Sequence, residues 1–180
     1  MKATGIVRRI DDLGRVVIPK EIRRTMRIRE GDPLEIYTDN NGEVIFKKYS
    51  PLGELGIFAA QYAEVLYKTG GFPVVVCDRD HVIAVAGIPK KELLERRVSS
   101  ALEDHMDQRK PFGYTGGDSA RLQPVEGVDR FAIAGAPIIT SGDVCGSIML
   151  ISEEPSAAAG ETETKLIATA AAFLGKQMEE

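Results

Sequence analysis

Several features that define common protein classes are missing from this sequence. No apolar run approaches the roughly 18 residues that a membrane span requires, and the segment after Met1 lacks the apolar centre of a signal peptide. The chain has two cysteines, Cys77 and Cys145, and both lie in apolar, strand-like runs. This usage favours reduced, buried thiols over a disulfide framework or a metal site. We therefore expect a cytoplasmic protein.

The motifs of common enzyme classes are missing as well. The sequence has no glycine-rich dinucleotide fingerprint, no phosphate-binding loop, no Cys-x-x-Cys pair and no His-Glu-x-x-His helix. Asp78, Asp80 and His81 lie together between two strand patterns, which indicates a polar hairpin turn rather than a metal site. The other histidine, His105, lies near a predicted helix end and is expected to face the helix dipole or solvent. We predict no catalysis, no metal and no cofactor.

Charge is divided unevenly along the chain, whose formal net charge is −4. Residues 1–50 carry 11 Lys and Arg against 8 Asp and Glu, a net +3, whereas residues 51–180 carry 12 against 19, a net −7. Pro51 and Gly53 interrupt a strand-like pattern between these parts. We predict two domains, 1–50 and 51–180, with different partners.

The first domain is predicted to consist of short strands and one short helix. TGIVRRI and RVVI are strand-like runs around a turn at DDLG, and we expect Val16–Ile18 to lie in a core. A helix is predicted over about residues 19–27, with Ile22 and Met26 on its apolar side. LEIYT and EVIFKK flank DNNG, which is typical of a β-hairpin.

Basic side chains are concentrated in this domain. A unit of about 50 residues with few large apolar groups can hardly bury an adequate core alone, so we predict that it dimerises. A two-fold dimer would repeat the basic cluster on one face, which suits the phosphates and guanine edges of duplex DNA. From the residues alone, a merely solvated basic surface remains an alternative. The seven residues are Arg8, Arg9, Arg15, Lys20, Arg23, Arg24 and Arg27.

The first domain resembles the swapped-hairpin DNA-binding domain of the AbrB family of bacterial transition-state regulators. The motifs TGIVRR, LGRVVIPKEIRR and GDPLEIY carry this resemblance across essentially 50 residues. It implies a mainly-β dimer of interleaved hairpins that binds double-stranded DNA and reads its shape and flexibility as much as its sequence. It also implies DNA contacts at Arg8, Arg15, Arg23 and Arg24, a commonly basic position at Arg9, and peripheral phosphate contacts at Lys20 and Arg27.

The second domain alternates helices and strands. The patterns predict a helix from Leu52 to Gly70–Gly71, strands at PVVVCD and HVIAVAG, a helix over 89–106, and a mainly irregular loop over 107–130 with a short strand near Leu122. Strands at FAIAGAPII and VCGSIMLIS and a helix over 161–178 follow. This order predicts an α+β fold with an antiparallel sheet, and a long loop of this kind is typical of a binding lid.

This order of elements, together with the API…GDVCGSIMLIS stretch, resembles a GAF domain, a fold used for sensing small molecules and for dimerisation. The Asn-Lys-Phe-Asp-Glu signature of cyclic-nucleotide GAF domains is absent, so we expect a different, unidentified ligand under residues 107–130. The last helix either covers its own sheet or, as the resemblance implies, pairs across a dimer. With the N-terminal dimer, that pairing would permit a tetramer.

Together the resemblances imply a regulator that activates and represses late sporulation genes and associates with the nucleoid of the developing forespore. Two other classes stay open. Antitoxins also use swapped-hairpin domains, but they usually carry a short disordered tail rather than a folded domain of about 130 residues. A metabolite-binding protein or enzyme with an incidental basic patch would bind DNA weakly and without sequence preference.

Overall fold

A computed structural model describes residues 4–117, 121–154 and 156–179 of the chain. Two compact units, Met1–Tyr49 and Ser50–Glu180, make up the structure, and each is described by itself. The first unit contains helix α1 (Lys20–Thr25) and the antiparallel strands β1 (Leu34–Thr38) and β2 (Val44–Lys48).

The predicted hairpin of the first unit is confirmed. Leu34 pairs with Lys48 and Thr38 pairs with Val44, so the turn falls at DNNG. The Asp39 carboxylate accepts the main-chain N–H groups of Asn41 and Glu43, at 3.0 and 2.8 Å. An aspartate that caps its own turn in this way stabilises the reversal before the next strand begins.

Residues 4–19 form no strand, although TGIVRRI and RVVI were predicted to be strands. They are two arms joined by a turn, in which the N–H of Gly14 donates to the carbonyl of Asp11 at 3.0 Å. A strand needs a neighbour for its N–H and C=O groups, and no described part of the chain offers one here. Val16 and Val17 are accordingly exposed, so the prediction that Val16–Ile18 lie in a core is wrong for the single chain.

Helix α1 is shorter than the predicted helix over residues 19–27. Pro19 precedes its first turn, and Arg27, with φ of 51°, lies beyond its end. Ile22 is half-buried and Met26 is 54% exposed, so the predicted apolar side is only partly covered by the described residues of the unit.

The second unit is a five-stranded antiparallel sheet between two helical layers. Its sheet order is β4-β3-β7-β6-β5. Antiparallel pairing throughout confirms the predicted α+β fold. The elements are α2 (Pro51–Glu54), α3 (Gly56–Gly70), β3 (Val74–Asp78), β4 (Val82–Ala86), α4 (Lys90–Leu93), α5 (Ser100–Asp107), β5 (Phe112–Gly113), β6 (Phe131–Thr140), β7 (Asp143–Ser152) and α6 (Glu161–Gln177).

Both faces of this sheet are covered, and the two cores use alternate residues of the central strands. Val74 and Val76 of β3 pack with α3 and α6, whereas Val75 and Cys77 pack with α4 and α5. Successive side chains of a strand point to opposite faces, so a sheet covered on both sides needs a continuous apolar run. Helix α3 ends at Gly71, whose φ of 76° suits glycine and confirms the predicted stop.

The predicted helix over residues 89–106 is wrong, because α4 and α5 are separate helices. Glu95 has φ of 64°, and the N–H of Val82 in β4 donates to the carbonyl of Arg96 at 2.9 Å. Ser99 then caps α5 by accepting the N–H of Leu102. The extended segment around Arg96 thus provides hydrogen-bond partners for the outer edge of β4. The helical spacing of apolar residues does not show this pairing.

The segment over 107–130 is mainly irregular, as predicted, but its short strand is β5 at Phe112–Gly113. Leu122 forms an isolated bridge with Ala132, and Val125 is buried. Residues 118–120 of this segment lie outside the described residues.

Cysteine burial is only partly as predicted. Both thiols are free; Cys77 is fully buried, but Cys145 is only half-buried. Burial raises the pKa of both thiols, most strongly that of Cys77.

The histidine predictions also divide. The Asp78 carboxylate accepts the N–H groups of Asp80 and His81, both at 2.7 Å, which confirms the polar turn. His105 was predicted to face the helix dipole or solvent: it lies in the last turn of α5, as the dipole alternative requires, but its Nε2 is buried, its ring packs edge-on against Phe112, and burial lowers its pKa. Among the described residues, no group of three or more acids, histidines and cysteines could hold a metal ion, and no helix could span a membrane.

Substitution of Gly146 tests how closely β7 and β3 pack in the second unit. It pairs with Asp78 of β3, and an added Cβ would overlap the carbonyl oxygen of Cys77. We expect Gly146→Ala to destabilise this unit by about 1–3 kcal/mol, because the obstacle is backbone and cannot rotate away. Urea denaturation of the full chain measures the loss.

Gly56→Ala is the matched control, because Gly56 lies in α3 with open space around its Cβ position. It should be neutral or should stabilise the unit by up to about 1 kcal/mol. Equal effects of the two substitutions would contradict the close packing described here.

Candidate nucleic-acid interface

The turn between the two arms of the first unit holds one arginine in place. The Asp11 carboxylate accepts the main-chain N–H of Arg15 at 2.7 Å, that of Leu13 at 3.0 Å, and the Arg15 Nε–H at 2.8 Å. Because only Nε is engaged by Asp11, both terminal nitrogens of the guanidinium still have N–H groups for an outside acceptor. Asp11 thus orients Arg15 without using up its forked end.

Helix α1 presents three further cations on one face. Lys20 lies three residues before Arg23 and four before Arg24, so the three side chains share a face. Glu21 in the first turn and the two arginines in the last turn both suit the helix dipole. Ile22 lies on the other side of the helix.

Most of the predicted basic residues are exposed and unengaged. The side chains of five of them form no ion pair or hydrogen bond with another described residue, so they can meet an anion without breaking an internal contact. These five are Arg8, Arg9, Lys20, Arg23 and Arg24. Arg15 is exposed but paired with Asp11, at 2.8 Å.

Arg27 differs from the other six residues. It is half-buried, and its carbonyl oxygen accepts a hydrogen bond from Lys48 Nζ at 3.0 Å. Lys48 Nζ also lies 3.7 Å from Asp32 Oδ2, and through these contacts Lys48 connects strand β2 with the end of α1. Sequence reasoning missed Lys48, since nothing in its local pattern distinguishes it from a solvated lysine. It missed Asp11 too, although an aspartate that opens a DDLG turn is a recognisable capping signal.

Residues 54–179 match the family model described as "Stage V sporulation protein T C-terminal, transcription factor". The chain belongs to the stage V sporulation protein T family. Over its full length it is 53% identical to stage V sporulation protein T of Bacillus subtilis (strain 168), with 100% of both chains covered.

The first unit has relatives of its own outside the stage V sporulation protein T family. Residues 7–53 match the model described as "Antidote-toxin recognition MazE, bacterial antitoxin". Transition state regulatory protein AbrB of Bacillus subtilis (strain 168) is 63% identical over 51 residues, which are 28% of this chain and 52% of AbrB. The predicted resemblance to the AbrB family is therefore confirmed.

The second unit has the GAF fold that the sequence predicted. A solved GAF domain from a phosphoenolpyruvate-protein phosphotransferase of Coxiella burnetii aligns with a TM-score of 0.54 and 17% identity. The alignment covers 69% of this chain and 82% of that one. At this identity the likeness concerns the fold alone.

The Asp11 turn can be tested by titration. Hydrogen bonds from the Arg15 main chain, the Arg15 side chain and the Leu13 main chain hold the pKa of Asp11 below its ordinary value. Because the folded pKa is lowered, Asp11 stabilises the turn at neutral pH, and this contribution is lost as pH falls through the lowered pKa. Carbon-13 NMR of the labelled carboxyl should show this low midpoint.

Arg15→Ala should raise that midpoint only in part, because the main-chain N–H of residue 15 gives the largest contribution and remains. A wild-type Asp11 that titrates like an ordinary aspartate would contradict the turn geometry.

Proposed function

We propose that this chain is a transcription regulator that binds double-stranded DNA through its first unit. The observation that carries the proposal is the set of exposed, unengaged cations on the arms and on α1, in a segment 63% identical to AbrB. Lys and Arg at such positions bind phosphates, and an arginine fork can also reach guanine O6 and N7. The contacts are assigned to Arg8, Arg15, Arg23 and Arg24, with Arg9 at a commonly basic position and Lys20 and Arg27 as peripheral phosphate contacts.

The first unit acts as a dimer in this proposal. Its arms expose large apolar side chains, including Val7 at 84%, Leu13 at 71% and Val17 at 71%. Exposure on this scale is unusual for a soluble unit and marks a surface for association. A second copy that pairs with residues 4–19 would cover these side chains and would supply the missing strand neighbours.

The second unit provides a further self-association surface, which would join two such dimers into a tetramer. Ile57 and Val65 of α3 are 81% and 58% exposed, two turns apart on one face. Phe58, Tyr62 and the α6 residue Phe173 form an aromatic cluster beside them, with ring centroids 5.2–6.3 Å apart. An apolar strip of this kind on two adjacent helices fits pairing with a second copy.

The self-association surface predicts a change of assembly size. Ile57→Ser/Val65→Ser should convert tetramers to dimers, because exposed apolar area is lost without any change to the fold. Sedimentation velocity measures the change. Gln108→Ser/Lys110→Ser, two exposed positions outside α3 and α6, should leave the tetramer intact. Tetramers that survive the α3 substitutions would contradict this surface.

A small molecule bound to the second unit would bias this assembly. A groove of about 350 Å³ lies between β6, α6 and residues 109–111. Its lining includes the apolar residues Ala136, Ile139 and Ala171 and the charged residues Arg109, Lys176 and Glu179. Apolar walls with a few charged groups at the rim are usual for ligand sites of this size. The ligand is unidentified, and no catalytic step is assigned to this unit.

The targets of the regulator are late sporulation genes, some activated and some repressed, in the forespore. Full-length identity of 53% to stage V sporulation protein T supports this assignment. The alternative of an antitoxin is favoured by the model matched over residues 7–53. It is weakened by the folded second unit, which is unlike a short toxin-binding tail. Copurification of a small toxin would support the antitoxin alternative.

DNA binding is tested by fluorescence anisotropy on an A+T-rich promoter duplex and on a scrambled duplex, each over a range of salt concentrations. We expect tight binding with a steep salt dependence. Arg23→Ala/Arg24→Ala should reduce the slope of log K against log salt by about two, because each lost phosphate contact reduces it by about one. Arg8→Ala and Arg15→Ala should each weaken binding while the dimer stays folded.

Weak binding to both duplexes, indifferent to these arginines, would overturn the regulator proposal. It would support a metabolite-binding protein with an incidental basic patch instead. Circular dichroism of each variant separates lost contacts from lost folding.

A further inference from the structure

We propose that the second unit carries a DNA-backbone contact of its own, formed by Lys90, Lys91, Arg96 and Arg97. We call these four residues the 90–97 patch. It binds the phosphates of duplex DNA without reading base sequence. The inference rests on the proposed function in one respect, namely that the first unit brings the DNA to the molecule.

The charges of the 90–97 patch are available to a ligand. All four side chains are exposed, and none forms an ion pair or hydrogen bond with another side chain in the described part of the chain. The segment also contains two acids, Glu92 and Glu95. Glu92 is already engaged, because its carboxylate accepts a hydrogen bond from the Arg130 guanidinium at 2.7 Å. Within the segment Glu95 is then the one acid that offsets the four cations; the neighbouring turn adds Asp80, whose carbonyl accepts the N–H of Val98 at 2.9 Å.

The backbone that carries the two arginines is held in place. The N–H of Val82 donates to the carbonyl of Arg96 at 2.9 Å, and the N–H of Glu95 donates to the carbonyl of Val82 at 2.8 Å. Glu95 has φ of 64°, a conformation that a non-glycine residue keeps only when its surroundings hold it. His81 bridges to Arg97 on the same edge. A fixed backbone lowers the entropy cost of presenting these side chains to a ligand.

The surroundings of the patch favour phosphate over a protein partner. Protein interfaces depend on buried aromatic and apolar anchors. No large apolar side chain within residues 90–97 is exposed, although the Tyr67 ring, 38% exposed, lies close by against Gly87. One partly exposed ring is a small anchor for a protein partner, whereas four exposed cations suit a sequence-independent contact to a nucleic-acid backbone.

The net charge of the whole second domain opposes DNA binding, so the contact must be a local one. Residues 51–180 carry a net −7, and the 90–97 patch is a cationic exception within them. DNA bound by the first unit is present at high effective concentration, so a contact that would be weak by itself adds measurably to total affinity.

The test uses the full chain and a duplex of about 60 base pairs with an A+T-rich centre, in anisotropy titrations over a range of salt. Arg96→Gln/Arg97→Gln should lower the slope of log K against log salt by about two and weaken binding roughly tenfold at low salt. Arg96→Lys/Arg97→Lys should keep the wild-type slope, since phosphate contacts depend on charge.

The matched control is Lys110→Gln/Lys165→Gln, which removes the same charge from two exposed positions outside the 90–97 patch. It should leave the slope unchanged. An equal loss in this control overturns the proposal, because it would reflect net charge alone. An unchanged slope in Arg96→Gln/Arg97→Gln also overturns it, and an acidic protein surface would then be the better partner.

Arg23→Ala/Arg24→Ala separates this inference from the proposed function. If that variant loses salt-dependent binding while Arg96→Gln/Arg97→Gln leaves the slope unchanged, only the inference fails. If the wild type itself binds without salt dependence, the proposed function fails and this inference fails with it.

Discussion

Strand edges whose N–H and C=O groups lack partners must be covered, and this requirement shapes both units. In the second unit β4 is an outer strand, and its free edge is bonded by the segment around Arg96. In the first unit residues 4–19 have no such neighbour among the described residues and stay outside any strand. The second unit therefore satisfies its strand edge internally, whereas the first unit has arms with which a second chain could pair.

Association and DNA binding would use the same short segment of the first unit. Val7 and Arg8 are adjacent, as are Arg15 and Val16, and all four side chains are exposed in the single chain. Successive side chains of an extended segment point to opposite sides, so one side of an arm can face a partner chain while the other faces DNA. Under our proposal the basic surface would therefore be completed by the contact that completes the core.

Local patterns predicted those elements whose surroundings are uniform. Strands β3 and β7 are covered on both faces, so a continuous apolar run was sufficient evidence for them. The DNNG hairpin was predictable because Asp39 bonds within its own turn. The prediction of one helix over 89–106 failed because the backbone around Arg96 forms hydrogen bonds with the edge of β4 instead. The burial of His105 was not predictable because it depends on Phe112, which lies on another element.

The sequence by itself determined the division of charge between the two parts, the turn residues and the continuous apolar runs that place apolar side chains on both faces of the larger sheet. These properties depend on residues within a few positions of each other in the sequence, and such neighbours are the same in every conformation of the chain. Only the tertiary structure decided that Glu92 pairs with Arg130, that Lys48 binds the end of α1, and that Cys145 is half-exposed. Each of these depends on which surfaces meet in space, and burial and pairing across long separations leave no periodic signal along the chain.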